Sequence, residues 1–465
     1  MPPKFGTSGL RGLVTELTPE LVSAYVHAFL RACPQGSAVH VGQDLRPSSP
    51  AIAASVIAAV RAAGLTAIDH GAVPTPALAL ASMQAGDAAV MVTGSHIPAD
   101  RNGLKFYVPS GEVSKADETA ILAVLETAFT PSATQGGHET HEKALPAYVA
   151  RYSNAFGADA LSGLRVGVYE HSSVARDVMG EIFRSLGAET VSLARSDVFI
   201  PVDTEAVDPA TRDLLAGWAR DHGLDAIVST DGDSDRPMLA DAKGVIVPGD
   251  LLGPITAAML GADTLVTPVS SNTAIDAMPQ FAAITRTRIG SPFVIAAMEQ
   301  MLQTDPATQV AGYEANGGFL LGFDANGPAG PLPPLMTRDS ILPLVAPLAA
   351  ARAAGQSLSE LVAALPPRFT AADRVQEVPS EQSSALIATL SDSANARADF
   401  FEGVDAEQAI DLTDGLRVTF KDGAVVHLRP SGNAPECRCY AEAGSADAAL
   451  TLVNVHLAKL KARLG

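Results

Sequence analysis

Three aspartates separated by single residues give the clearest chemical signal in this sequence. Asp231, Asp233 and Asp235 lie in 231-DGDSDRP-237, directly after the apolar, strand-like run 225-DAIVST-230. Three like charges so close together repel one another unless a cation neutralises them. A small number of hard carboxylate oxygens suits Mg²⁺, which also takes phosphate oxygens as ligands. The segment therefore predicts a magnesium site, and a solvated acidic turn is the alternative.

The shape of this loop narrows the choice of ion. An EF-hand calcium loop that began at Asp231 would need Gly and Glu where Arg236 and Ala242 stand. In an extended strand, alternate carboxylates would lie about 6–7 Å apart. We therefore expect the loop to curl, with Gly232 permitting the curl. Arg236 adds a planar guanidinium that suits phosphate.

A serine that could carry a phosphoryl group lies in a second loop. Ser95 follows the strand-like run 88-AAVMV-92, His96 is adjacent, and Lys105 returns after a turn expected at 102–103. A nucleophilic serine needs a base, and a phosphorylated one needs cations nearby. A plain turn in which His96 only orients the loop is the alternative.

A third loop combines small residues with two arginines. Arg429 and Arg438 flank Ser431, Gly432 and Asn433. A turn of small residues exposes backbone N–H groups to an anion, and flanking guanidiniums complete a phosphate site. The alternative is an ordinary loop after a hairpin.

Two weaker segments add polar groups. Glu314 and Asn316 in 312-GYEANGG-318 offer a carboxylate and an amide, which suit sugar hydroxyls. Arg11 lies among small residues in 4-KFGTSGLRG-12, which could line an anion site or simply begin a strand.

A recurring pattern positions most of these loops: an apolar strand, a loop of small polar residues, then a helix. It occurs at 38–50, 88–103, 225–237, 264–274 and 308–318. Nearly continuous apolar strands that alternate with helices indicate α/β domains with largely parallel sheets. Ligands bind outside the carboxyl ends of such strands, which is where each loop begins.

The C-terminal part follows a different pattern. An alternating hairpin over 415–432, with its turn at Asp422-Gly423, precedes a helix over 446–465, which is typical of an α+β domain. The four domains predicted for the chain are 1–145, 146–252, 253–368 and 369–465.

Composition excludes several classes of partner. The chain has 465 residues, three cysteines and a formal net charge of -19. This acidity disfavours a nucleic-acid surface, and no apolar run approaches the roughly 20 residues that span a membrane. The N-terminus lacks the apolar core of a signal peptide, and so few cysteines favour a cytoplasmic protein.

Taken together and in this order, the motifs resemble those of the α-D-phosphohexomutase family, which includes phosphomannomutases, phosphoglucomutases and phosphoglucosamine mutases. The resemblance extends from residues 4–12 to 429–438, nearly the whole chain. It implies three related α/β domains with mixed, largely parallel sheets plus a C-terminal α+β domain around a central cleft. The four domains would carry, in order, the phosphoserine, metal, sugar and phosphate loops.

The resemblance also implies roles for single residues. Ser95, within the family pattern Thr-x-Ser-His-x-Pro, corresponds to the phosphoserine, and His96 stands beside it in the catalytic loop. Lys105 and Arg11 correspond to residues that stabilise or relay charge at the transferring phosphoryl group.

The metal ligands implied are Asp231, Asp233, Asp235 and a phosphate oxygen on Ser95. The substrate-binding residues implied are Arg236, Gly290 in 286-RTRIGSPF-293, Glu314, Asn316, Arg429, Ser431, Gly432, Asn433 and Arg438. The sugar loop departs from the usual family pattern, since it reads Tyr-Glu-Ala-Asn-Gly-Gly where Gly-Glu-x-Ser-Gly-His is usual.

The activity implied is interconversion of hexose 1-phosphate and hexose 6-phosphate, with Mg²⁺, through phosphoserine and a hexose 1,6-bisphosphate. Mannose phosphate is the first choice of substrate, with glucose phosphate beside it. The partner is a small sugar phosphate, and the protein is a monomer or homodimer. Phosphoglucosamine mutase is the alternative within the family.

Outside the family, a sugar phosphatase would use Asp231 as nucleophile and Asp233 as acid and base. A catalytically silent sugar-phosphate binding protein is disfavoured because Ser95, the three aspartates and Lys105 are all present.

Overall fold

The computed structural model describes residues 3–6, 9–431 and 435–464. Gly432 and Asn433 of the predicted phosphate loop lie outside the described residues, as do Thr7 and Ser8 of the opening motif. The described chain forms three α/β units and one unit built on an antiparallel sheet.

The first unit has an eight-stranded sheet in the order β1-β2-β6-β5-β3-β4-β8, with β7 paired to β6. Strands β5, β3, β4 and β8 run parallel, and the others are antiparallel. Its strands are β1 (Lys4–Phe5), β2 (Leu10–Leu13), β3 (Ala38–Gln43), β4 (Thr66–Ala72), β5 (Ala88–Val92), β6 (Arg101–Val108), β7 (Gly111–Glu112) and β8 (His138–Thr140). Its helices are α1 (Pro19–Ala32), α2 (Ser49–Ala62), α3 (Thr75–Ala85) and α4 (Lys115–Val124).

The second unit has a five-stranded sheet in the order β10-β9-β11-β12-β13, in which the first three strands are parallel. Its elements are α5 (Ala144–Phe156), β9 (Arg165–Tyr169), α6 (Arg176–Ser185), β10 (Glu189–Leu193), α7 (Pro209–His222), β11 (Ala226–Thr230), β12 (Pro237–Asp241) and β13 (Ile246–Val247).

The third unit repeats this arrangement in the order β15-β14-β16-β17-β20, again with three parallel strands. Its elements are α8 (Gly249–Met259), β14 (Thr264–Pro268), a 3₁₀ helix (Thr273–Ala277), β15 (Ala283–Thr287), α9 (Ser291–Thr304), β16 (Val310–Tyr313), β17 (Phe319–Leu321), β18 (Ala325–Asn326), β19 (Pro331–Leu332), β20 (Leu335–Asp339), α10 (Leu342–Ala353) and α11 (Leu358–Ala363). Strands β18 and β19 form a separate ribbon.

The three units share one topological feature that positions the chemistry. In each, one strand (β5, β11 or β16) pairs with a parallel neighbour on one side and an antiparallel neighbour on the other. The predicted phosphoserine, metal and sugar loops follow these three equivalent strands. The expectation of three related α/β domains with mixed sheets is therefore confirmed.

The fourth unit is an antiparallel sheet in the order β21-β25-β24-β23-β22, packed against helices. The predicted hairpin is confirmed as β23 and β24, with Asp422 and Gly423 between them. Its elements are β21 (Phe369–Gln376), α12 (Ser380–Asp392), α13 (Ala394–Phe400), β22 (Glu407–Asp411), β23 (Leu416–Phe420), β24 (Val425–Pro430), β25 (Glu436–Ala443) and α14 (Ala446–Leu464).

One continuous apolar core runs through α3, α5, α6, α8 and α10, whereas the fourth unit has its own core. The first three units are therefore packed together by buried side chains. The predicted boundary after residue 252 falls inside α8, so the four domain ranges remain a proposal. In the described chain, no helix combines the length and apolarity that crossing a bilayer requires.

Candidate active site

Ser95 lies in the loop after β5 and meets the metal loop of the second unit. It is 1% exposed and has a φ of 54°, which is unusual for a residue other than glycine. Its hydroxyl donates to Asp231 Oδ2 at 2.6 Å and lies 3.2 Å from His96 Nδ1. A left-handed serine held this way is typical of a functional site, because such strain persists only where the surroundings enforce it.

Arg46, which no motif singled out, holds this loop in place. Its guanidinium donates to the backbone carbonyls of Ser95 at 2.8 Å, Ile97 at 2.5 Å, Pro98 at 2.7 Å and Arg101 at 2.9 Å. One buried side chain therefore binds four backbone carbonyls of this loop, of which that of Pro98 also accepts the Arg101 N–H.

Asp44 is the counter-ion of Arg46, at 3.1 Å from its Nε. It also accepts hydrogen bonds from the Thr93 hydroxyl at 2.8 Å and from the Gly94 N–H at 3.3 Å. A Cβ at Gly94 would lie 2.5 Å from Arg46 Cζ, so this position requires glycine. The loop 38–50 was singled out only as a strand end; the charged pair within it was the signal that sequence reasoning missed.

The three aspartates form the cation-binding geometry that the sequence predicted. They are buried, and one oxygen from each lies within 4.8 Å of the others. Asp233 Oδ1 and Asp235 Oδ1 are buried without a hydrogen-bond partner in the described chain. Unpaired buried carboxylate oxygens are costly, and a hard divalent cation would satisfy them. The donor set therefore fits Mg²⁺.

The curl of the metal loop depends on Ser234, so the expectation for Gly232 was wrong. Ser234 has a φ of 62°, and its carbonyl accepts a hydrogen bond from the Ser340 hydroxyl at 2.8 Å. Gly232 is needed for a different reason: a Cβ there would lie 2.8 Å from the Ser95 carbonyl oxygen and 3.2 Å from the Phe199 ring. It allows the two loops to approach each other.

Two buried cations contact the aspartates. Lys105 Nζ donates to Asp233 Oδ2 at 2.6 Å and also to Asp235 Oδ2. Arg338 donates to Asp235 Oδ2 at 2.7 Å and to Glu314 Oε2 at 3.2 Å. Arg338 was missed by sequence reasoning, although a charge at the end of the apolar strand β20 was a signal.

Asp231 and Asp235 differ in how readily they bind a proton. Burial, followed by the charges of Asp233 and Asp235, raises the pKa of Asp231 well above its usual value. Burial would also raise the pKa of Asp235, but Arg338 and Lys105 outweigh it and lower that pKa. Without a bound cation, nearby protein cations thus favour the charged form of Asp235, whereas Asp231 binds a proton more readily than a free carboxyl does.

Further cations surround the serine. Burial, Arg236 and Arg338 lower the pKa of Arg11 to about 10, so this arginine still carries its charge at neutral pH. Burial and then Arg236 and Arg11 lower the pKa of His96 far below its usual value, so its ring is neutral. Arg236 Nε lies 3.9 Å from Asp235 Oδ1. The site is therefore rich in positive charge, as an anionic substrate requires.

The turn predicted before Lys105 is wrong. Asn102 and Gly103 lie within β6, which begins at Arg101. Gly103 pairs with Arg11 across the β2–β6 register, and a Cβ there would lie 2.2 Å from the Leu10 carbonyl oxygen. Close strand pairing, not a turn, explains the glycine, and it brings Arg11 beside the strand that carries Lys105.

The sugar loop follows β16. Glu314 is buried and reaches the cluster through Arg338. Asn316 Oδ1 accepts from the Gly318 N–H at 3.0 Å, so this oxygen shapes its own loop. The Thr204 hydroxyl, from the second unit, donates to the Asn316 carbonyl at 3.4 Å. The loop therefore links the second and third units near the aspartates.

The loop 286–293, which holds the predicted substrate-binding residue Gly290, contacts the fourth unit. Gly290 has a φ of 130° and precedes α9. The N–H of its neighbour Ile289 donates to Asp414 Oδ2 at 3.0 Å. The same Asp414 oxygen lies 2.9 Å from Arg429 Nε, and Ser431 is buried beyond the end of β24. The predicted phosphate loop is thus joined to the third unit.

Arg438 pairs with Arg429 across the β24–β25 register and lies 2.9 Å from Glu436 Oε1. It lines a cavity of about 240 Å³ between the second and fourth units. Other lining residues are Asp203, Glu205, Arg374 and Tyr440. Arg429 pairs with Asp414 and Arg438 with Glu436, both in the fourth unit, so the two arginines belong to a second cluster.

Family models cover almost all of the chain. The matches are phosphoglucomutase/phosphomannomutase alpha/beta/alpha domain I at residues 2–131, domain II at 146–244, domain III at 248–369 and the C-terminal domain at 372–458.

Whole-chain relatives agree with these matches. The chain is 45% identical to a phosphomannomutase of Sinorhizobium fredii over the full length of both proteins. It is 44% identical to a phosphomannomutase of Salmonella muenchen, covering 99% of this chain and 96% of the relative. A crystal structure of a phosphoglucomutase/phosphomannomutase family protein from Burkholderia thailandensis shares the fold, with a TM-score of 0.78 at 20% identity over 98% of this chain and 97% of that one. The chain therefore belongs to the phosphoglucomutase/phosphomannomutase family, whose members are phosphohexomutases.

Proposed function

We propose that this enzyme interconverts mannose 1-phosphate and mannose 6-phosphate, accepts glucose phosphates as well, and uses phosphorylated Ser95 as its phosphoryl carrier. One observation carries the proposal. The Ser95 hydroxyl of the first unit donates at 2.6 Å to Asp231, a member of the buried aspartate cluster of the second unit. A serine inside a cation site is where a phosphoryl group can be both held and transferred.

Asp231, Asp233 and Asp235 are the residues that would hold Mg²⁺, because their clustered, partly unpaired oxygens suit a hard cation. When bound, the ion neutralises charge on the transferring phosphoryl oxygens.

The chain's own cations do the remaining electrostatic work. Burial alone would lower the pKa of Lys105, but Asp233 and Asp235 raise it above its usual value, so Lys105 stays protonated and neutralises charge. Arg11 and Arg236 add two fixed charges. Neutral His96, 3.2 Å from Ser95 Oγ, orients this hydroxyl. Preorganised charges of this kind contribute much of the rate in phosphoryl transfer.

The catalytic cycle has two transfers. The phosphate on Ser95 moves to the free hydroxyl of a hexose monophosphate, which gives a hexose 1,6-bisphosphate and leaves a free serine. The bisphosphate reorients in the cleft, and its other phosphate is then transferred to Ser95. The same site thus serves both ends of the sugar.

The other substrate contacts are assigned by resemblance. Glu314 and Asn316 of the sugar loop, with Gly290 of the loop 286–293, would recognise the sugar. The arginines and small residues of the fourth unit would hold the phosphate that does not react; they are Arg429, Ser431, Gly432, Asn433 and Arg438.

Mannose is the proposed sugar because two whole-chain relatives of 45% and 44% identity are named phosphomannomutases. Phosphoglucosamine mutase activity is the alternative that the assay below resolves.

The test is conversion of mannose, glucose and glucosamine 1-phosphates to their 6-phosphates, with Mg²⁺ and a trace of glucose 1,6-bisphosphate. We expect fastest conversion of mannose 1-phosphate by the wild type and none by Ser95→Ala. Ser55→Ala, which removes a hydroxyl bonded within α2, is the matched control and should retain activity. Free phosphate released undiminished by Ser95→Ala would replace this proposal with the phosphatase. Fastest conversion of glucosamine 1-phosphate would change the sugar.

A further inference from the structure

Arg338 lies at the end of β20 and joins two parts of the cleft. It is 4% exposed, and its two terminal nitrogens donate to Asp235 of the metal loop and to Glu314 of the sugar loop. A planar guanidinium with five donors suits phosphate as well as carboxylate. This buried cation is therefore placed where the phosphoryl group and the sugar of a substrate would meet.

The stem of Arg338 fills the space beside Gly318. A Cβ at Gly318 would lie 2.8 Å from Arg338 Cδ and 2.9 Å from its Cγ. Gly318 ends the sugar loop 312–318, where the usual family pattern ends in histidine. Here the loop carries no side chain at that position. A cationic side chain from the paired strand β20 comes to the same place instead.

Lys105 and Arg338 both donate to Asp235 Oδ2. A carboxylate that takes a metal ion has less need of two protein cations, and a substrate brings phosphate charge that needs them. Resting on the function proposed above, we propose that Arg338 is a substrate-binding residue, whose guanidinium contacts a phosphoryl oxygen of the sugar phosphate.

This role predicts opposite effects on two ligands. Removal of Arg338 takes away a positive charge that competes with the metal ion for Asp235, so Mg²⁺ should bind as tightly as before or more tightly. The sugar phosphate loses a charged hydrogen-bond donor, so it should bind more weakly. An arginine that only balanced the charge of Asp235 and Glu314 would leave the affinity for sugar phosphate unchanged.

Calorimetric titration tests this in a Ser95→Ala background, where no phosphoryl transfer occurs. Arg338→Met should raise the Kd for mannose 1-phosphate at saturating Mg²⁺ by at least about tenfold, or ~1.4 kcal/mol. Arg338→Lys keeps a charge without the fork and should show a smaller increase. The Kd for Mg²⁺ should stay equal or fall. Arg352→Met, at an exposed arginine of α10, is the control and should change neither Kd.

A second variant covers the case in which Arg338→Met does not fold. Gly318→Ala keeps the charge but pushes against the stem of Arg338, and its Cβ would also lie 3.1 Å from the Asp235 carbonyl oxygen. It should therefore weaken mannose 1-phosphate binding, and an unchanged Kd for Mg²⁺ checks that the metal loop is intact. Thermal unfolding of each variant checks that it is folded. A Kd for mannose 1-phosphate within about twofold of the parent in every folded Arg338 and Gly318 variant would overturn the inference. The mutase assay of the wild type tests the proposed function separately. Mutase activity of the wild type together with unchanged Kd values in the variants would overturn only the role of Arg338.

Discussion

At the residue scale, the three clustered aspartates lower the stability of the metal-free protein. Three buried carboxylates in one loop repel one another in the absence of a cation, and the protein offsets this with Lys105 and Arg338. Functional sites commonly store such unfavourable arrangements, so removal of one charge can stabilise a protein while abolishing its activity.

Asp231→Asn tests whether the cluster lowers stability and binds Mg²⁺. The amide oxygen can still accept the Ser95 hydroxyl, and the variant avoids the cost of either a buried charge or a bound proton at this position. We expect the metal-free variant to be more stable by about 1 kcal/mol and to bind Mg²⁺ at least tenfold more weakly, with kcat falling in proportion. Chemical denaturation and Mg²⁺ titration measure the two effects. Asp221→Asn, on the exposed end of α7, should change neither; lower stability of metal-free Asp231→Asn would contradict the account.

Asp250, at the start of α8, predicts a pH dependence away from the catalytic cluster. Burial raises its pKa to about 7, although the Asn272 N–H that donates to its Oδ2 opposes this shift. Its Oδ1 has no hydrogen-bond partner in the described chain. A carboxyl whose folded pKa is raised binds a proton more tightly when folded. It therefore destabilises the protein increasingly as the pH rises from about 4 to about 7.

Asp250→Asn should remove this penalty. The free energy of unfolding of the variant should exceed that of the wild type at pH 8, by about 4 kcal/mol at most. The difference should shrink towards pH 4. Denaturation at a series of pH values gives the comparison. A stability difference that grows as the pH falls would show that the sign is wrong.

At the scale of single elements, the loop after β5 depends on a side chain from a different loop. Arg46 satisfies four of its carbonyls and lies 4.2 Å from the centroid of the Phe199 ring, which belongs to the second unit. The loop that carries Ser95 is therefore held from both sides.

Arg46→Lys should act as a positioning variant. An ammonium cannot reach four carbonyls in a plane, so we expect a loss of about 3 kcal/mol in stability and a lower kcat, with KM for sugar phosphate nearly unchanged. Urea denaturation and steady-state kinetics measure these quantities. Arg61→Lys, which loses a single carbonyl bond, is the matched control. A raised KM with unchanged kcat would mean that Arg46 acts on substrate binding instead.

Site residues could be predicted from the sequence only where their role depends on neighbouring residues in the chain. The serine and aspartate loops could be predicted because each is a short run of polar residues directly after an apolar strand. The roles of Arg46 and Arg338 could not, because their partners, apart from Asp44 beside Arg46, are backbone carbonyls and carboxylates distant in the sequence. The turn expected at Asn102-Gly103 failed for a similar reason, since that glycine is required by a neighbouring strand.

At the scale of the whole molecule, the fourth unit is attached through a small polar joint. Glu442 of β25 accepts hydrogen bonds from the Thr273 N–H at 3.1 Å and from Arg368 Nε at 2.5 Å. The apolar core of this unit is separate from the core shared by the other three. This joint, together with the Ile289–Asp414 hydrogen bond described above, positions the residues proposed to hold the second phosphate. Cytoplasmic location and a monomeric or homodimeric state stay predictions.

Glu442→Gln should loosen the joint without touching the aspartate cluster. We expect KM for sugar phosphate to rise several-fold, since the phosphate loop is less well positioned, with a smaller effect on kcat and on Mg²⁺ affinity. Steady-state kinetics test this. Glu407→Gln, which breaks an ion pair with Arg397 inside the fourth unit, is the control and should leave KM unchanged. Equal effects of both variants on KM would argue against the joint.

The central claim is that the phosphoryl group passes through Ser95. The most direct measurement is a single-turnover experiment in which the enzyme is first labelled with ³²P from glucose 1,6-bisphosphate and the site is identified by mass spectrometry. We predict acid-stable label on Ser95, which unlabelled mannose 1-phosphate then removes as labelled sugar phosphate. Acid-labile label on an aspartate, or label on Ser95 that unlabelled substrate cannot remove, would contradict the account.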